Sequence, residues 1–407
     1  MIPSPLRFTQ AFLLFLPTTF VVPNAALIVF ALFSILVFDP GFQRRDRLYF
    51  VFGIGVGLNA LLGILVDQQF PDSLLVNNGL LGAVILLAGY LAARTLNDTV
   101  WKIVLLFLIV EVVCIYIQFA MGVRFFFPQQ QIVTTTTEFE FSRNVQDMEL
   151  LYFIRPMGLS ATSTIAGAKI LLALVLTFML DLRGRTRWLL TFLLAGAAVL
   201  NFKRSGLLAF GLLIGILLIL DLRRNGWKFR HTFASAVILS VLGFYATQII
   251  GQFTRETAAS LGDISFDIVI EQLSGRADLW EETTDFIDGH LFFGNYSERL
   301  ILSTGQYPHS SYMSLLATHG LFLALTLGAF IVSRTARKPA ILIFLAPILV
   351  DAVFQENLFW YISIFDQFLL YMLLVREPSA YWFDPFPSRR NEQRRSGAGP
   401  AATPAAA

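Results

Sequence analysis

The stretch RWLLTFLLAGAAVLNFKRSGLLAFGLLIGILLILD, residues 187–221, holds two apolar runs with only a few polar residues between them. Each run is about long enough for a helix crossing the hydrocarbon core of a bilayer, and neither shows the period-two alternation of a membrane barrel strand. The rest of the chain repeats the pattern. Hydrophobic residues make up 56% of the 407 positions and charged residues 14%, against about 25% charged in ordinary soluble domains. Mean hydropathy is +0.66. The sequence therefore predicts an all-α, polytopic integral membrane protein. About twelve transmembrane helices are expected, near 6–20, 23–38, 47–66, 74–93, 100–123, 161–181, 187–201, 205–221, 230–250, 310–333, 339–354 and 359–375.

Net charge is +2, so bulk charge names no partner, and no nucleic acid partner is expected. Cys114 is the single cysteine, which excludes an internal disulfide and a cysteine metal cluster. No acidic or histidine cluster has zinc spacing and no glycine-rich nucleotide loop is present, so no cofactor is expected. The N-terminal run carries Arg7 and is broken by Pro17 without a clear small-residue cleavage site, which reads as a retained first helix.

Loop charge sets the expected orientation. Residues 42–47 (FQRRDR), Arg94 with Lys102, 183–187 (RGRTR), 223–230 (RRNGWKFR), 334–338 (RTARK) and the tail arginines fall on one side. The alternate loops, 17–23, 67–73 and 355–360, carry no basic residue. The basic side is assigned to the cytoplasm, with both termini. Residues 1–380 are expected to form one membrane domain and 381–407 a disordered cytoplasmic tail. Two long loops, about 124–160 and 251–309, then lie outside, the second carrying short helices.

Lys203 and Arg204 break this rule, because the turn that holds them faces outside. One reading is snorkelling of misplaced charge. The other is binding of an anion at the outer surface. In the 251–309 loop, Ser274 is a candidate cap. Leu279, Trp280, Phe286 and Ile287 recur at helical spacing, and Gly289 is a candidate stop. This predicts an amphipathic helix lying on the membrane or on other spans. Arg276 shares the buried face, and its partner is either a local carboxylate or a ligand. His309 sits just before the tenth span, where a helix N-terminus favours the neutral imidazole, a form able to take a proton from a hydroxyl. Arg155 is a third outer cation, before Pro156 and Gly158. Arg124 and Arg143 have weaker context.

The motifs FKRSGLLAF (202–210), SGRADLW (274–280) and FFGNY…PHSSYMSLLATHGL (292–321) resemble, in order and spacing, the C-terminal half of the O-antigen ligase and polysaccharide polymerase superfamily. RPMGLSATSTIAG (155–167) resembles the opening of that family's middle region. The resemblance implies a glycosyltransferase of the bacterial inner membrane acting in lipopolysaccharide or exopolysaccharide biosynthesis. It implies transfer of a glycan from an undecaprenyl diphosphate carrier to a hydroxyl at the periplasmic face. The acceptor is lipid A-core for a ligase or a lipid-linked repeat unit for a polymerase. By position, the resemblance gives Arg204 and Arg276 to the diphosphate and His309 to the acceptor as catalytic base; the outer placement of Arg155 and Lys203 makes them further candidate substrate-binding cations. Ser310 stands where many relatives have Asn, and SATST where many have an Asn-Pro-Asn-like turn; these departures bear on acceptor identity. The competing class is a transporter or flippase using the intramembrane residues Glu111, His319 and Asp366.

Overall fold

The computed structural model describes residues 4–19, 25–40, 46–67, 80–123, 126, 156–225 and 277–376, apart from isolated positions within them. Arg155, Arg276, Arg124, Arg143, the expected span 230–250 and the tail from 381 lie outside the described residues, and of Arg204 only the backbone is described. The elements in chain order are α1 (Pro5–Phe15), α2 (Ala25–Phe38), α3 (Arg47–Asp67), α4 (Leu81–Thr95), α5 (Asp98–Met121), α6 (Ser163–Met179), α7 (Gly184–Asn201), α8 (Arg204–Asn225), α9 (Ala277–Gly289), α10 (Ser311–Arg337), α11 (Leu342–Asp351) and α12 (Ile364–Leu374). Among the described residues there is no strand, only an isolated bridge between Thr19 and Ser160. The protein is an all-α membrane protein.

Three of these helices are long and apolar enough to cross a bilayer, at Arg47–Val66, Asp98–Met121 and Ser311–Arg337. Several others, among them α4, α6 and α12, are apolar but shorter. Each expected span other than 230–250 coincides with a helix.

α6 is the centre of the bundle. From Ala166 to Met179 every side chain is buried, as a helix apolar on all faces must be. α5, α7, α8 and α11 pack around it. A second group, α2, α3, α4, α10 and α12, packs side by side, with α4 in contact with α2, α3 and α12. One apolar core runs through both groups. Exposed Leu36, Val51, Leu58, Leu65, Val84, Leu106 and Leu189 lie on outer faces of several helices, as expected where the surrounding solvent is lipid.

Residues from three of the segments expected on the cytoplasmic side, Asp46, Arg94 and Arg334, meet in one cluster. Buried Asp46 takes Arg94 at 2.7 Å and also pairs with Arg334 and Tyr90. Asp98 meets Arg376 and Tyr371. These pairs tie the starts of α3 and α5 to the ends of α4, α10 and α12.

The expected continuous tenth span, 310–333, is corrected by the structure. α10 is broken at Gly320, where φ is 75° and ψ 174°, a region open essentially to glycine alone. The segment 291–297 packs into the break. Asn295 N–H donates to Ala317 O, Ser297 N–H to Thr318 O and Leu321 N–H to Leu291 O, each at 2.8 Å. Carbonyls freed by a broken helix need such donors where no water competes. Asn59 of α3 completes the arrangement by donating to Phe293 O at 2.8 Å and Ser297 Oγ at 3.2 Å. The break was illegible because it depends on a backbone approach, not on a proline.

Candidate active site

α7 ends at Asn201 and α8 begins at Arg204, so Lys203 and Arg204 occupy a turn too short to bury itself. The Lys203 stem crosses α6 at Gly167, where a Cβ would lie 2.4 Å from its Cδ. Its ammonium reaches Asp351, at the end of α11, at 2.9 Å. Asp351 is fully buried, and the same carboxylate oxygen accepts from Asn357 Nδ2 at 2.7 Å. The cation that looked misplaced therefore meets a buried carboxylate. Its partner lies 148 positions away, beyond the reach of loop-charge reasoning. Among the described residues, none donates to Oδ1 of Asp351 or to Oδ1 of Asn357.

His309 is the second centre. It is half-buried and has φ 53°, a left-handed conformation that is uncommon outside glycine. Three contacts hold the backbone around it. Trp280 of α9 donates its indole N–H to Pro308 O at 3.0 Å. Ser310 caps α10, accepting from Met313 N–H; Ser and Asn are near-equal caps, which gives the Ser310 departure a local physical meaning. Ser311 then anchors the helix start to the loop after α11. Its N–H donates to Ala352 O at 2.9 Å and Gln355 O at 3.1 Å, and its hydroxyl donates to Gln355 O at 2.6 Å. That hydroxyl also accepts from Asn357 N–H at 3.2 Å and Leu358 N–H at 3.1 Å.

The loop 352–358 thus joins the two centres. Gln355 donates to Ser205 Oγ at 3.5 Å at the start of α8, while its carbonyl holds Ser311 two residues from His309. Asn357 bonds both Asp351 and Ser311. Sequence reading placed 355–360 among the outer loops but assigned it no role, since Gln, Glu and Asn at this spacing match no known motif. Beside it, Arg299 pairs with Glu356 at 2.6 Å and lies 3.3 Å over the Tyr307 ring, and Ser314 donates to Glu356.

α9 packs on the first part of α10. Leu279 and Ile287 join Leu300, Leu302 and Ala317 in a small apolar cluster apart from the main core, with Trp280 turned toward Pro308. His290 ends the helix, stacked on Phe286 at 4.2 Å.

The three intramembrane ionisable residues are each committed to a neighbour. Glu111 takes Lys169 at 3.0 Å and Ser160 Oγ at 2.5 Å. His319 Nδ1 is 3.1 Å from Ser297 Oγ. Asp366 forms a capping box with Ser363 and accepts from Phe359 N–H at 2.7 Å.

Residues 189–328 match the family model described as O-antigen ligase. The matched stretch begins in α7, ends in α10 and contains Lys203, Arg204, Arg276 and His309; residues 1–188 and 329–407 lie outside it. The match supports the resemblance to the O-antigen ligase and polymerase superfamily on this stretch, a family that implies a membrane enzyme of glycosyltransferase type. No curated protein and no solved structure matches the chain.

Proposed function

We propose that the protein transfers a glycan from an undecaprenyl diphosphate carrier to an acceptor hydroxyl at the periplasmic face of the bacterial inner membrane. The observation that carries this reading is the meeting of the α8 start and the α10 start on one loop, 352–358, inside a chain whose 189–328 region matches the O-antigen ligase family model. The helix start that Arg204 opens and the helix start that follows His309 are then anchored on the same loop. In this reading the bundle has twelve spans, both termini are cytoplasmic, and the α8 and α10 starts face the periplasm. The meeting of Asp46, Arg94 and Arg334 in one cluster supports that orientation.

Arg204 supplies positive charge to the diphosphate, joined by Arg276 and by Arg155. Arginine suits the task because its fixed fork of donors matches phosphate oxygens. Charge builds on the diphosphate as the glycosyl C–O bond breaks, and fixed donors stabilise it there. Lys203 acts at one remove: bound to Asp351, it holds the turn that presents Arg204. His309 Nε2 or Nδ1 takes the proton of the acceptor hydroxyl, whose oxygen attacks the anomeric carbon. The diphosphate leaves with the bonding electron pair, and a single displacement inverts the centre. The chemistry requires no metal. The oxygens of Asp351 and Asn357 that lack a donor among the described residues suit a hydroxyl-rich acceptor, because a buried acceptor atom left without a donor costs free energy.

Lipid A-core and a lipid-linked repeat unit are the two acceptors of this chemistry, and a shared fold does not choose between them. Deletion in the native host does. Single repeats attached to the final acceptor, with long glycan lost, identify a polymerase. Long polymer accumulating on undecaprenyl diphosphate identifies a ligase. An unchanged glycan and carrier pool contradicts both.

A further inference from the structure

We propose that Asn201 is a positioning residue for the donor site, fixing the turn that presents Arg204 against the segment that follows Arg155; the inference rests on the transfer reading above. Asn201 is the last residue of α7 and is 1% exposed. Its amide nitrogen donates to Pro156 O at 3.0 Å and to Ser163 O at 3.2 Å. One side chain therefore grips both ends of the segment 156–163. Flipping the amide would turn its oxygen toward two carbonyls, so these bonds fix its orientation.

The same segment is clamped from α5 on its other side. Gln118 Oε1 accepts from Met157 N–H at 2.9 Å and Gly158 N–H at 2.7 Å, and its Nε2 donates to Gly158 O at 3.1 Å. Two helical turns earlier on that helix, Glu111 accepts from Ser160 Oγ and from Lys169. Gly158 has φ 60°, and a Cβ there would lie 3.0 Å from Glu111 O, so the turn fits α5 only with glycine at this point. The segment is rigid with respect to α5 and α6. Asn201 transfers that rigidity to α7.

Two residues beyond Asn201 is Lys203. Its stem is packed on α6 at Gly167 and its ammonium is anchored on Asp351. Asn201 holds the same turn from its other side, at the end of α7. Pro156 directly follows Arg155 in sequence. The bond to Pro156 O thus ties the end of α7 to the segment that Arg155 precedes. A small shift of the α8 start would weaken its contact with a diphosphate, since positioned groups lose much of their effect over about 1 Å.

Full-length protein in lipid nanodiscs would be tested for binding of undecaprenyl diphosphate, with undecaprenol as the phosphate-free control. Wild type is expected to bind the diphosphate more tightly than the alcohol. Asn201→Ala is expected to raise Kd for the diphosphate by about tenfold, the scale of a 1.4 kcal/mol loss. Asn201→Ser keeps one hydroxyl donor and is expected to fall between the two, which also keeps the test open if the alanine variant fails to insert. Binding of undecaprenol should not change. A merely structural role would lower the bound fraction at saturation and leave Kd alone. A variant series with wild-type Kd overturns the inference while leaving the transfer reading intact. A wild type that binds both lipids equally overturns both.

Discussion

At the turn between α7 and α8, two adjacent cations have different fates. Lys203 is bound to Asp351 inside the protein, whereas Arg204 opens α8, where the free N–H groups and the dipole already favour an anion. Arg204→Ala is expected to abolish glycan transfer while the protein still inserts, and Arg204→Lys to recover little of it, because a point charge lacks the paired fork. Transfer at wild-type rate by Arg204→Ala, measured with lipid-linked donor, would return this arginine to a surface role. Lys203→Met alone leaves a buried carboxylate unpaired and is expected to cost about 3–5 kcal/mol of stability. Lys203→Met with Asp351→Leu should restore much of it, and a thermal unfolding cycle reads the difference. The anomaly of the pair was legible in the sequence, since it broke an otherwise consistent charge rule. The Lys203 partner was not, because it is a carboxylate brought from another helix. His309 was legible by its place before a helix; its left-handed backbone, held by Trp280 and Ser311, was not, since neither contact has a sequence signature.

At the scale of elements, the broken α10 and its inserted segment 291–297 form one unit. A Cβ at Gly320 would lie 2.2 Å from Phe292 O, and φ there is 75°. Gly328, two turns further along the same helix, has nothing within 4 Å. Gly320→Ala should therefore lower the thermal midpoint sharply, while Gly328→Ala should leave it unchanged or raise it, as alanine is the better helix former by about 1 kcal/mol. Equal responses of the two variants would argue against the inserted arrangement. Apolar periodicity located this helix and α9 correctly as elements. It did not reveal the break at Gly320, because a lone glycine inside a span gives no sign of a backbone crossing it. For α9, the apolar spacing of Leu279 and Ile287 identified the buried face, but not that the face meets the first turns of α10.

For the whole molecule, hydropathy made the all-α membrane class legible. Asp46, Arg94 and Arg334, from three of the segments grouped by charge, meet in the structure. The convergence of α8, α10 and the loop 352–358 was beyond reach, since it is a property of packing between distant segments. The orientation can be tested with single cysteines in a Cys114→Ala background, at exposed Asp288 and exposed Arg185. An impermeant thiol reagent on spheroplasts should label Asp288→Cys and spare Arg185→Cys. The reverse pattern would turn the protein over and remove the periplasmic site. The central claim is that glycan leaves its carrier on this protein, with His309 as the base. It is tested most directly by giving purified wild type and His309→Ala a lipid-linked glycan donor and acceptor, with EDTA present, and measuring released undecaprenyl diphosphate. Wild type should release it in step with glycan transfer. His309→Ala should be slower by roughly 10²-fold or more, with undecaprenyl diphosphate binding retained and wild-type activity falling on the acid side as the imidazole gains its proton. Equal rates for the two proteins, or a donor that stays intact with wild type, would contradict the account.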